Sequence, residues 1–497
     1  MHIPITIPPG LARGATPYDN PGRWWDCNLV RWIDGTLQPI GGWTRNTTTT
    51  LGTAVRHILT WRDNAGILRT LAGTDEKLYS DKDIWNDVTP TSFVPLDSTT
   101  AFGGYGTGLY NTSTYGTART STILFQILPV WTMDNWGEDV ILTANTDGHL
   151  YYFDTTTPTV AAVVISAAPT NNAAVIVTEQ RHVMVIGAGG DPRAVAWSSS
   201  EDYTDWNYSS TTNTAGTIDL AARSPLLIGY KVREGVLILS ETEAYLGRFI
   251  GLPFVYGFDR LANVSLMTPN AVATHSGAAE WMGRGGFWSY VGGIITPLPC
   301  PISNDIFNDM DTTYGPFRTF AAHHGMYPEV WYFYPSTGKT ECDTYIIHNY
   351  KEDWWAWGLM SRSAMSPAGA FRYPKLGSPA GEIYTHELGF LDDGSTRIGS
   401  VFAETNTVAA GEGDRTLEVN QAMLGSGHGY NSMALTIYSR MTPEGSERTF
   451  GPYSPRSDGY TDTRATGRDL RMRMSATQDA AWSIGKLRLD VQTGTGR

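Results

Sequence analysis

Three carboxylates and an indole crowd one short stretch, SSSEDYTDW (198–206), where Glu201, Asp202 and Asp205 precede Trp206. Two carboxyl groups in unlike surroundings, one protonated and one ionised, are what cleavage of a glycosidic bond requires. Sialidase-type propellers carry repeated turns of the form Ser-x-Asp-x-Gly-x-x-Trp; here the glycine is missing and the stretch occurs once. It reads as an outer turn that closes a strand. His323, His324 and His348, with Cys342 nearby, are of metal-ligand type. A metal needs three or four converging donors, and no Cys-x-x-Cys, His-Glu-x-x-His or His-x-His spacing is present. Gly283-Arg284-Gly285-Gly286 has the composition of a phosphate-binding loop. It lies between two strand-like runs, so it presents no helix N-terminus to a phosphate and reads as a hairpin turn. No Gly-x-Ser-x-Gly elbow occurs. The expectation is a chain without catalytic, metal-ligating or cofactor-binding residues, and not an enzyme.

The elements that would position any such residue are strands. Residues 328–358 hold three β-runs, Val330–Tyr334, Thr344–His348 and Trp354–Trp357, separated by Pro-Ser-Thr-Gly-Lys and Tyr-Lys-Glu-Asp. Aromatic and β-branched side chains suit a pleated surface, and turns this short force antiparallel neighbours. Similar units recur at 66–85, 139–154, 182–206, 235–251, 278–299 and 381–390. Their aromatic landmarks Tyr151, Trp197, Tyr245 and Trp288 stand 46, 48 and 43 residues apart. A period of about 40–50 residues with four strands per unit predicts a β-propeller. The expected organisation is an all-β chain. Residues 1–50 form an irregular N-terminal arm and hairpin turning at Asp34-Gly35, and 51–405 a propeller of six or seven blades, with 90–135 fitting poorly and set aside as an insertion. Residues 406–497 form a C-terminal antiparallel β-sandwich in which Leu470, Met472 and Met474 face a core while Arg471 and Arg473 face out. Helix is expected only over Ser303–Met310.

Composition agrees: 12 % aromatic and 53 glycines against 17 % charged residues describe short strands punctuated by tight turns. No apolar run approaches the roughly 18 residues of a membrane-spanning helix, and MHIPITIPPG reads as an extended arm rather than a secretory signal. Cys27, Cys300 and Cys342 are far apart and odd in number, which predicts free thiols in a protein made in a cytoplasm. The net charge of −13 has the wrong sign for holding nucleic acid by phosphate neutralisation. Residues 440–497, with 10 Lys/Arg and 7 Asp/Glu, run against that trend.

Several segments together resemble one family. They include GRWWDCNLVRWIDGTLQPIGGW (22–43), PRAVAWSSSEDYTDWNYSSTTNTAG (192–216), GLPFVYGFDRL (251–261), EWMGRGGFWSYVGGIITPLPC (280–300) and EVWYFYPSTGKTECDTYIIHNY (329–350). The chain is similar through them, from about 22 to 490, to the nozzle or tail-hub (DNA-stabilisation) proteins of tailed bacteriophages, the short-tailed ones above all. The resemblance implies a virion structural protein, made in the host cytoplasm and assembled as a hexameric ring below the portal and adaptor. Such a ring would be conduit and gate for genome DNA that passes without specific binding, its further partners being tail fibres or tailspikes. It implies no catalytic residue, and an acidic lumen would keep phosphates from sticking. The first alternative is a carbohydrate-binding or glycan-cleaving propeller, in which Trp354-Trp355 would stack on sugars. The second is a tail fibre, disfavoured because no fibrous trimerising segment is visible.

Overall fold

Alternation and turn chemistry act together in residues 328–358, and the strands form where both agree. Glu329–Tyr334, Thr344–Asn349 and Trp354–Leu359 pair antiparallel, with Trp331 opposite Ile347 and Ile347 opposite Ala356. Phe320–His323 adds a fourth strand beside the first. This computed structural model describes residues 2–14, 19–47, 49–81, 84–95, 130–409, 415–442 and 445–493. Among them the same four-stranded meander occurs seven times, in units spanning 55–87, 131–164, 174–219, 226–263, 272–298, 320–359 and 364–386. The last unit has three strands of its own and takes its fourth, Trp43–Arg45, from the N-terminal side, with His386 opposite Trp43.

The first strands of the seven units lie side by side in a closed, propeller-like round, the seventh returning to the first. They are Val55–Arg62, Trp131–Trp136, Ala174–Val177, Leu226–Val232, Val272–His275, Phe320–His323 and Ala364–Ser366. Side chains and backbone stitch neighbours together. The Val175 N–H donates to Thr132 Oγ1 at 2.9 Å, the Ala321 N–H to the Asn270 carbonyl at 2.8 Å, and Thr60 and Ser366 share a hydroxyl bond of 2.8 Å across the closure. The landmarks Tyr151, Trp197, Tyr245 and Trp288 all fall on third strands, which is the physical origin of the sequence period. Trp197 needs a partner without a side chain, since a Cβ at Gly216 on the fourth strand would overlap its indole.

Residues flanking the round form two further sheets. One orders His2–Ile5, Leu487–Thr493, Leu417–Met423 and Tyr460–Gly467; the other orders Trp24–Asn28, Phe402–Thr405, Asp469–Ala476, Met433–Arg440 and Arg448–Tyr453, with Val408–Ala409 beside Asp469. Leu470, Met472 and Met474 are buried, while Arg471 and Arg473 turn outward to pair with Glu404. The N-terminal residues therefore contribute strands to both of these sheets and to the seventh unit. Of residues 90–135, 96–129 lie outside the described residues, and Trp131–Asn135 belong to the first strand of unit two. α-Helix is confined to Ser303–Asp309 and Gly315–Arg318 among the described residues.

The hairpin Val30–Ile33/Thr36–Pro39 turns at Asp34 and Gly35, both at positive φ (49° and 71°), as a two-residue Asp-Gly turn demands. A buried ion cluster docks it. Arg31 reaches Glu329 at 3.1 Å in unit six and Glu387 at 2.7 Å after unit seven. Glu387 also takes the Gly41 N–H at 3.0 Å and a contact from His324 at 3.2 Å. Burial opposes the Glu387 charge, but Arg31 and His324 outweigh it and hold the carboxyl well below its usual range.

Candidate functional site

Inner strands of a propeller-like round expose one edge of each sheet to the axis, so a site there is assembled from a few residues per unit. Two adjoining cavities follow the axis, and His57, Tyr230, Asn270 and Thr274 border both. One side adds Thr132, Asp134 and Lys231, the other Arg56, His323 and Met365. All seven first strands supply lining residues.

Asp134 organises the first side. Its carboxylate takes the Lys231 ammonium at 2.8 Å and the Val177 N–H at 2.8 Å, and so ties units two, three and four together. Lys231 remains exposed and Asp134 half-buried, which leaves the pair open to a hydroxyl-bearing ligand. The Tyr230 hydroxyl donates to the Pro269 carbonyl at 3.1 Å; burial pushes its pKa well up, so it stays a neutral donor and acceptor. His57 borders the cavity while protein encloses most of its ring, and that desolvation pushes it down to about 4. At neutral pH the imidazole is uncharged, with one nitrogen able to accept. Arg56 is held in a bidentate pair with Asp75 at 2.7 and 3.0 Å and with Glu341 at 2.8 and 2.9 Å, and Arg318 joins the same Glu341.

Of the residues singled out from sequence only His323 borders the axial cavities; the others lie elsewhere. Asp202 accepts the Thr204 N–H and hydroxyl at 2.9 and 2.6 Å, and Asp205 is clamped by the Asn213 amide at 2.8 Å. Glu201 pairs with Arg181 at 3.2 Å, and Trp206 is buried with its indole N–H on the Tyr203 carbonyl. These carboxylates build a turn and border no cavity described above. His324 binds Glu387, whereas His348 Nδ1 donates to the Glu280 carboxylate at 2.8 Å, and the Cys342 thiol sits on the Arg318 carbonyl at 3.1 Å. No three His, Cys, Asp or Glu side chains come together as a metal site among the described residues. Gly283–Gly286 is a hairpin turn between paired strands. Trp354 and Trp355 are each only 2 % exposed, the former edge-on to Trp32 and the latter stacked on His348. The expected sugar-stacking role of this pair is corrected: both faces of their sheet are covered.

A second polar cluster joins units five and six. Glu280 is flanked by His348 at 2.8 Å and His275 at 3.4 Å. Burial disfavours its charge, yet the two imidazole bonds prevail and pull it down to about 2. His275 stacks on Tyr350 at 3.8 Å, and Tyr350 bonds His323 at 3.2 Å. Sequence reasoning singled out His323 and His348 only as metal-ligand types, and missed Glu280, His275, Tyr350 and the other axial residues. The available signal was weak: polar residues such as His57, Asp134 and His323 occur within first strands, but Ala174–Val177 has none and Val55–Arg62 has several.

No protein-family model matches the chain, and no curated protein matches it. Solved structures do. A catalytically inactive virginiamycin B lyase from Staphylococcus aureus with Quinupristin is 8 % identical, covering 70 % of this chain and 94 % of its own, with a TM-score of 0.34. The Bacteroides ovatus xyloglucan PUL protein GH43B is 10 % identical over 90 % of this chain and 99 % of its own, at 0.28. The GH43 protein BlXynB from Bacillus licheniformis, a mutant, is 8 % identical over 92 % and 99 %, at 0.23. The expectation of a chain that is not an enzyme is contradicted by these neighbours, which include a lyase, and it is withdrawn. At such identities and TM-scores the likeness is one of coarse all-β, propeller-like plan, and it brings no reaction or substrate to this chain.

Proposed function

We propose that the chain is a seven-bladed β-propeller with a C-terminal β-sandwich, and that its axial cavity binds a carbohydrate. The supporting observation is the convergence of Asp134–Lys231, neutral His57, Tyr230, Asn270 and Thr274 on one partly apolar channel. A sugar presents alternating hydroxyl donors, acceptors and C–H faces, and a mixed lining of this kind matches all three. Immobilised full-length protein is screened on a glycan array, and bound glycans are then tested for release of reducing ends. The expected result is a restricted set of ligands whose affinity falls about tenfold or more in Asp134→Ala, the usual scale for losing a charged hydrogen-bond partner. Absence of any retained glycan together with absence of cleavage would sink this reading.

A second reading is favoured by one surface feature. The hairpin Glu243–Gly251/Val255–Asn263 has the longest strands of any unit, and its end exposes Phe249 (48 %), Ile250 (57 %), Leu252 (74 %) and Phe254 (73 %). In the next unit, whose strand Ile294–Leu298 lies beside Val255–Asn263, Val291 and Ile294 are also more than half exposed. A contiguous apolar knob of this kind calls for a partner. In the tail-nozzle reading that partner is a neighbouring subunit of a virion ring, which meets an adaptor and tail fibres and lets genome DNA through its lumen. Native mass measurement tests it: six-subunit particles are expected, alone or on an adaptor ring, and Leu252→Asp/Phe254→Asp should dissolve them. Persistent monomers in both settings would exclude it.

A further inference from the structure

The two flanking sheets do not fill the space between them. A gap of about 240 Å³ remains, and Leu417, Val419, Leu489, Ile437, Leu470 and Met472 line it from both sides. Protein interiors are normally packed to the density of organic crystals, and side chains that border a void forfeit dispersion contacts on that side. The sheets touch along one edge, where the Ser439 hydroxyl donates to the Thr466 carbonyl at 2.9 Å, and each is also tied to the rest of the chain. One is joined through Leu37, which exchanges two backbone bonds of 2.9 Å with Ile484 just before Leu487–Thr493; the other is joined through the pairing of Trp24–Asn28 with Phe402–Thr405. Away from the edge where they touch, their facing side chains leave the space between them unfilled.

We propose that this gap is a binding site for an aliphatic chain, taken up with the chain's polar end left in solvent. The lining consists wholly of aliphatic side chains and one thioether, so water inside would find no hydrogen-bond partner, and apolar cavities of this type stay dry and admit hydrocarbons. A buried polar head would be equally unsatisfied. An opening exists at the edge: Ile3, on the outermost strand, lines the gap and is 44 % exposed, while Ile5 and Val408 beside it are half-buried. An unbranched chain can thread this mouth and replace the missing contacts, and its affinity then comes from methylenes alone.

That origin gives a quantitative test. Full-length protein is titrated calorimetrically with a series of straight-chain 1-alkanols. Affinity is expected to rise about fourfold for each added methylene, the equivalent of ~0.8 kcal/mol per buried CH₂, and to level off once the gap is full. Val419→Phe and Ile437→Phe, which fill the gap from opposite sheets, should each abolish binding while the thermal midpoint stays at or above that of the unaltered protein. Two variants are used so that one misfolded protein does not decide the outcome. Leu252→Ser/Phe254→Ser, at the exposed knob, should bind alkanols unchanged. Absence of any binding, an affinity independent of chain length, or undiminished binding in both folded Phe variants would each overturn the proposal.

Discussion

Units five and six and the C-terminal sheets share one continuous buried cluster, yet they solve packing differently. In the former, flat rings lie against one another: Trp331 stacks on Tyr345 at 5.2 Å, Phe320 on Phe333 at 4.7 Å, and Phe287 meets Trp355 at 4.8 Å and Tyr332 at 5.1 Å. Rings also carry polar handles, and here they are used, as where the Trp331 indole donates to the buried Glu329 at 2.9 Å. The C-terminal sheets face each other with aliphatic side chains and no ring among the ten residues lining their gap. Large, rigid, partly polar groups give a filled and specified interior. Small aliphatic ones leave about 240 Å³ open between the sheets.

The contrast is broken most forcefully by truncation. Trp331→Ala removes a ring that is 1 % exposed and strips Glu329 of its indole donor. A loss of about 3–5 kcal/mol is expected, read from the denaturant midpoint. Met472→Ala, at the gap, takes away a side chain that already borders empty space and should cost closer to ~2 kcal/mol. Equal costs would mean that the two interiors are packed alike.

Acid separates the regions next. His57, His182 and His323 are each pushed by burial down to about 4, and all three belong to the seven-unit round. The unfolded chain takes up these protons near pH 6.5, whereas the folded chain does so only near 4. The stability they contribute is therefore complete above 6.5 and is lost as pH falls from 6.5 to 4. Glu280, depressed to about 2 by its two histidines against the opposing effect of burial, extends the loss: its contribution is present above about 4.5 and disappears as pH falls toward 2. Hydrogen exchange at pH 7 and 4.5 should show protection falling in units one, three and six before it falls in Leu417–Met423 and Asp469–Ala476. Simultaneous loss would make the whole chain one cooperative unit.

How much of this was readable beforehand follows from locality. In residues 328–358 turn residues and alternating aromatics sit within one segment, and the expected strands differ from those formed by one or two residues at their ends. The recurrence of meanders was readable because Tyr151, Trp197, Tyr245 and Trp288 hold equivalent places on third strands. Pairing across several hundred residues was not. Nothing local in Trp43–Arg45 says that it completes a sheet with Ile383–His386, nor in His2–Ile5 that it borders Leu487–Thr493. Exposure was equally hidden: Trp354 and Trp355 look like a binding platform in composition, and become core only because a neighbour covers each face of their sheet. The axial site was the least legible part, since seven separate strands supply one or a few residues each.

Within the axial site, Asp134→Asn keeps the shape and removes the charge that holds Lys231. Because Lys231 is exposed, only about 0–1 kcal/mol of stability should be lost from that pair. The Val177 N–H retains an acceptor in the amide oxygen. Thermal unfolding checks this, and a larger loss would assign Asp134 a structural duty that outweighs ligand binding.

Enlarging a buried side chain in each region gives the sharpest sign test. Ala356 is fully buried on the strand facing Ile347 in the ring-packed interior. Ala356→Leu adds three carbons where no space exists and should destabilise by about 1–3 kcal/mol through displaced rotamers. Val419→Leu adds one methylene at the lining of the gap, where burial of a CH₂ is worth ~0.8 kcal/mol and no neighbour has to move. The same kind of change, enlarging a buried aliphatic side chain, should therefore move the denaturant midpoint down in one region and up in the other. If Val419→Leu also destabilises, the sheets already close on the gap in solution, and the difference between the two interiors lies in side-chain type rather than in packing.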